Sequence, residues 1–132
     1  MRRLRPQPVA RAAGGVLVAI GVLGLVPLAT SGWSKLALAG RGSEARLLGL
    51  FQVSVLLDLV HVALGAAGLL LAGTAELAHR YLVGAGIVLI ALWALGVAKA
   101  GGWVPLGLAD DWLHLGLGAA LLALSRVTAP AA

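Results

Sequence analysis

The sequence predicts an all-α membrane protein with four transmembrane helices, arranged as two parallel-repeat helical hairpins. Three observations predict it. Of 132 residues, 61% are hydrophobic, while ten are basic and five acidic; an average soluble domain is roughly half apolar and a quarter charged. That apolar content, about 80 side chains, is enough for four spans of roughly 20 residues each. Finally, the apolar residues fall into four runs, and the second and fourth carry the same ordered pattern, D-x-x-H-x-x-x-G. A mean hydropathy of +1.01 leaves too little polar surface for a soluble globular domain and excludes a disordered tail.

The first run, Ala12–Ala29, gives a span over about 12–29, with Pro27 near its end, where a lost backbone bond is tolerated. A basic start followed by an apolar stretch also resembles a secretory signal. No convincing small-x-small cleavage site precedes a soluble domain, however, and the chain stays hydrophobic, so this is read as a retained helix. A polar stretch from Thr30 to Arg46, broken by Ser31, Gly32, Gly40 and Gly42, follows. The next apolar stretch, Leu47–Ala72, is long for one span and holds Gln52, Ser54, Asp58 and His61 in its first half. Two readings stay open. In one, an interfacial or re-entrant segment over about 44–55 precedes a span over about 56–74; in the other, a single long tilted helix carries Asp58 inside the membrane. The third span, about 81–98, begins at Tyr81 and is uncharged to Ala98; the fourth covers about 108–127. Only helices satisfy the backbone in lipid for runs like these. A membrane barrel would show ten-residue alternation, and there is none. The whole chain, 1–132, is thus one integral membrane domain.

Charge sets the orientation. Arg2, Arg3, Arg5, Arg11, Arg80 and Arg126 fall on one side of the spans, against Lys35, Arg41, Arg46 and Lys99 on the other. The positive-inside bias puts both termini in the cytoplasm of a multi-pass protein of a bacterial inner (cell) membrane. Trp33, Trp103 and Trp112 then form an outer aromatic belt, and His79, beside Arg80, is an inner interfacial anchor. The net charge of +5 comes from such flanks, not from a basic face with stacking aromatics, so nucleic acid is not an expected partner. With no cysteine there is no disulfide and no thiolate ligand or nucleophile.

The strongest feature is the internal repeat. Residues 58–71, DLVHVALGAAGLLL, align with 111–124, DWLHLGLGAALLAL, at eight of fourteen positions. Gly32-Trp33 and Gly102-Trp103 add a second shared step upstream. Leu and Ala matches carry little weight in such a sequence, whereas the paired Asp and His carry most. Each half crosses twice, so a pseudo-two-fold axis along the membrane normal is the natural relation.

The order LLGLFQV, D-x-x-H-x-x-x-G and A-D-D-W-L-H resembles the small actinobacterial membrane proteins classed as domain of unknown function 4383, from about Gly15 to Leu124. The resemblance implies four membrane helices and no established activity. This chain has Asp58 and Asp111 where that family commonly has Asn, and Leu57 where a further His often stands. At the level of architecture alone the chain is also similar to the DoxX-like membrane proteins.

The candidate site residues are Asp58, His61, Asp111 and His114. Within each pair the residues are three apart and share a helix face, which Gly65, Gly68 and Gly118 extend. Structural roles for them are an Asp N-cap with a capping-box-like His, or a polar cluster between helices. Functional roles are axial ligation of haem b by His61 and His114, with glycines leaving room for the porphyrin, or a divalent metal held by Asp58, His61, Asp111 and His114. A proton or small-solute path is a third, disfavoured because the other helices carry no polar relay. No hydrolase, nucleotide-binding or metalloprotease motif is present, so an enzyme is not the expected reading. The leading expectation is a small accessory or scaffolding membrane protein. It would sit in the lipid bilayer and pack with copies of itself or with a larger membrane complex. A redox or ligand-binding module built on the histidines is the alternative.

Overall fold

The computed structural model describes residues 4–39, 42–98 and 107–128. The first helix, α1, is Pro6–Gly24. Pro6 and Pro8 lie in its first turn, where the backbone N–H groups have no helical partner to lose. It stops well before Ala29. The chain turns instead at Leu25–Thr30, where the Ala29 N–H donates to the Val26 carbonyl at 3.1 Å and the Thr30 hydroxyl to that of Leu23 at 2.8 Å. Pro27 falls in this turn, outside the helix.

Three two-residue strands follow: β1 (Thr30–Ser31), β2 (Arg46–Leu47) and β3 (Phe51–Gln52). They form an antiparallel sheet in the order β1-β2-β3, with Thr30 opposite Leu47 and Leu47 opposite Phe51. This sheet departs from the all-helical expectation. Strands of two residues are too short to leave an alternating pattern in a sequence. A single 3₁₀ turn, Trp33–Lys35, lies between β1 and β2. The Ser43 hydroxyl ties this cap together, donating to the Val53 carbonyl at 2.5 Å and accepting from the Ala37 N–H at 3.1 Å. Ala45, Leu47 and Val53 form its small core, packed against Ile20 of α1.

The second helix, α2, is Val55–Leu71, and the Ser54 side chain caps it by accepting from the Leu57 N–H at 3.1 Å. The 47–72 stretch is therefore not one continuous helix. The third helix, α3, is Ala75–Val97, capped in the same way by Thr74. It starts a turn and a half earlier than expected, which takes Glu76, His79 and Arg80 out of the loop and onto the helix. The fourth, α4, is Leu108–Val127. Of these, α1 and α3 are long and apolar enough to cross a membrane, while α2 is apolar but shorter.

Close glycine contacts pair the helices. A Cβ on Gly14 would sit 2.6 Å from the Gly65 carbonyl oxygen, and one on Gly65 would sit 2.5 Å from the Gly14 oxygen. Further along, Gly21 meets the Asp58 backbone, so α1 and α2 run antiparallel. Gly86 meets Leu122, and Gly118 meets Ile90, which makes α3 and α4 antiparallel as well. Leu17, Leu82, Leu89 and Leu121 fill the core between the pairs.

Candidate functional site

Both α2 and α4 start at the end of the molecule that carries the cap. In α2, Asp58 is the fourth residue and His61 the seventh; in α4, Asp111 and His114 occupy the same two positions. Both histidines are buried, at 3% and 1% exposure. Their Nε2 atoms lie 3.4 Å apart, with ring centroids 5.6 Å apart and planes tilted by 32°. The centroid separation exceeds the nitrogen separation by 2.2 Å, close to both nitrogen-to-centroid distances together, so the rings meet nearly end-on. The Nδ1 atom of each has no hydrogen-bond partner among the described residues. At 3.4 Å the contact is longer than a good hydrogen bond to nitrogen, which falls at about 2.7–3.2 Å.

The two aspartates differ. Asp58 is fully buried, and neither carboxylate oxygen has a hydrogen-bond partner among the described residues. Its carboxylate lies against Gly24 of α1, in space that any Cβ there would occupy. Asp111 is only partly buried. Neither residue caps its helix, which corrects the capping expectation: the N-caps are Ser54 and Gly107. The capping carboxylate of α4 is that of Asp110, which the sequence reading passed over. Its Oδ2 accepts from the Gly107 N–H at 3.0 Å and from the Gln52 N–H of β3 at 3.1 Å. Asp110 thus ties α4 to the cap. The signal for it was its position, third residue of a helix behind a glycine.

The structure brings His61 and His114 together but does not gather all four candidates. Among the described residues no group of three or more His, Cys, Asp or Glu side chains could hold a metal ion. A haem does not fit. The imidazoles face each other with no gap for a porphyrin, and the glycine faces expected to make room are filled. Gly65 is covered by α1, Gly68 by the Tyr81 ring, and Gly118 by Ile90. An apolar groove of about 210 Å³ lies elsewhere, between α1, α3 and α4, lined by residues such as Leu17, Leu89 and Leu121.

A small metal ion is different. Two bonds of about 2.0–2.1 Å to imidazole nitrogens set those nitrogens about 3.3 Å apart at a tetrahedral angle and about 4.1 Å apart in a line. The observed 3.4 Å matches the bent arrangement, so the end-on rings must tilt off their common axis to share an ion. Imidazole suits zinc, copper, iron and nickel.

Of the remaining expectations, Trp33 and Trp112 are exposed near the capped end. The sequence elements at Arg2, Arg3, Arg41, Lys99 and Gly101–Trp103 lie outside the described residues. Lys35 pairs with Glu44 at 3.0 Å and Arg80 with Glu76 at 2.6 Å, both on the surface.

The comparisons with curated proteins and with solved structures each returned no match. The family model described as Domain of unknown function (DUF4383) matches residues 7–127, a stretch that runs from the first turn of α1 to the last residue of α4 and includes the histidine pair. The chain belongs to that family.

Proposed function

We propose that this chain is a multi-pass membrane protein whose buried histidine pair, His61 and His114, holds one borderline metal ion of the zinc or copper type. The observation that carries this reading is the 3.4 Å approach of two buried, facing Nε2 atoms. Ionisable side chains inside an apolar protein are costly and mark function by default. The two imidazoles would supply part of the coordination shell, leaving the other positions to exogenous ligands. In this reading all four helices cross the bilayer as two related hairpins, and both termini are cytoplasmic. The length and hydropathy of α1 and α3 support it, as do the equivalent positions of Asp58 and Asp111 in α2 and α4. The cap and the histidine pair then lie toward the outer face.

Equilibrium dialysis of tag-free protein in detergent against Zn²⁺ tests the site. One ion per chain is expected, with retention lost in His61→Ala and in His114→Ala but kept in His79→Ala. Retention no greater than that of the His61→Ala/His114→Ala double variant would defeat the reading. The nearly end-on alignment of the rings favours a second reading, in which the two Nε2 atoms share one proton; that is the state left if no metal is retained. An accessory or scaffolding role has less support. The faces around Gly14, Gly65, Gly86 and Gly118 are occupied by packing within the chain, which leaves it the faces around Gly15, Gly84 and Gly116.

A further inference from the structure

The cap carries an apolar edge that neither the histidine site nor the helix packing uses. The β2–β3 connection turns at Leu48 and Gly49, which have φ values of +54° and +71°, and the Leu50 N–H closes it on the Leu47 carbonyl at 3.0 Å. A turn with two left-handed positions favours Asn-Gly or Asp-Gly. This chain has leucine at the first, where the backbone disfavours it, and exposes 71% of it. Leu50 beside it is 56% exposed. The Leu48 N–H donates to the Ala29 carbonyl at 2.7 Å, which places the turn beside Ala29, and Leu28, the next residue back, is wholly exposed. The edge continues down α1 through exposed Val22 and Leu23. Trp33 stands at the same end, its indole N–H donating to the Leu25 carbonyl at 3.0 Å, and Arg46 is exposed two residues before the turn. Leucines at the tips with Trp and Arg behind them are the composition of a segment seated in the headgroup–acyl boundary. Continuity with the apolar face of α1 favours lipid over a protein partner.

We infer that the Leu48–Leu50 turn, with Leu28, dips into the outer leaflet of the bilayer and anchors the cap there. This rests on the reading that α1 and α3 cross the membrane. The chain has no cysteine, so single-cysteine variants can carry a nitroxide label without background. Leu28→Cys, Leu48→Cys and Leu50→Cys would be labelled in vesicles of phosphatidylcholine with phosphatidylglycerol. Glu44→Cys serves as the water-facing reference and Ile87→Cys, exposed on α3, as the lipid-facing one. Collision with oxygen relative to a water-soluble nickel chelate is then read by power saturation. The three cap positions are expected to resemble position 87, with oxygen favoured severalfold over their ratio at position 44. In a Leu48→Asn background, whose turn geometry suits asparagine, the label at position 50 should shift toward the aqueous value while the protein stays folded. Cap labels matching position 44 while position 87 stays lipid-like would overturn the inference and leave the spans standing. Aqueous values at position 87 would overturn both.

Discussion

The pairing of α1 with α2 depends on two backbones meeting at Gly14 and Gly65, and Gly65→Ala tests it. The added methyl would lie 2.5 Å from the Gly14 oxygen and 2.6 Å from the Val18 nitrogen. Both are backbone atoms, so no side-chain rotation relieves the contact. Ordinary contact begins near 3.4 Å, so the helices must separate by about 0.9 Å, the difference between 3.4 and 2.5. Overpacking of this kind costs about 1–3 kcal/mol. Alanine recovers less than about 1 kcal/mol through its better helix propensity, so a net loss remains. The assay is thermal unfolding in detergent, followed by circular dichroism, with Gly15→Ala and Gly116→Ala as controls; a Cβ at either control position meets nothing within 4 Å among the described residues. Gly65→Ala should melt clearly below wild type and both controls at or above it. A Gly65→Ala protein as stable as Gly15→Ala would refute the close approach of the two helices.

Asp110→Ala should cost about 1–3 kcal/mol, because it leaves the Gly107 and Gln52 N–H groups without their acceptor; Asp111→Ala should cost less, and the same melts would show the order. Ser54→Ala removes the cap of α2 and should cost about 1 kcal/mol, measured by denaturant unfolding; no change would mean that α2 is held by packing alone. A reporter fused after Ala132 should be active in the cytoplasm and silent outside it, and the opposite pattern would reverse the topology.

Much of this arrangement was legible because apolar runs and the D-x-x-H repeat are long-range patterns. The repeat singled out His61 and His114, which meet in the structure. It also pointed to Asp111 over Asp110, since only Asp111 aligns with Asp58. Capping is decided by position in the first turn, however, and there the neighbouring residue makes the bonds. The start of α3 was signalled by Thr74 two residues before Glu76, a cap followed by an acid in the first turn, but the charges of Glu76 and Arg80 read as a loop. The sheet left no trace, because its strands are two residues long. The glycine stripes marked faces of close approach without saying what fills them. Tyr81 over Gly68 and α1 over Gly65 are facts of packing between elements, which no local pattern encodes.

In the proposed site two imidazoles, His61 of α2 and His114 of α4, close on a single ion. X-ray absorption at the zinc edge of the loaded protein tests it most directly. Nitrogen or oxygen neighbours are expected at about 2.0–2.1 Å, with outer-shell scattering from two imidazole rings. A spectrum with no imidazole scattering, or with that of one ring alone, would contradict it.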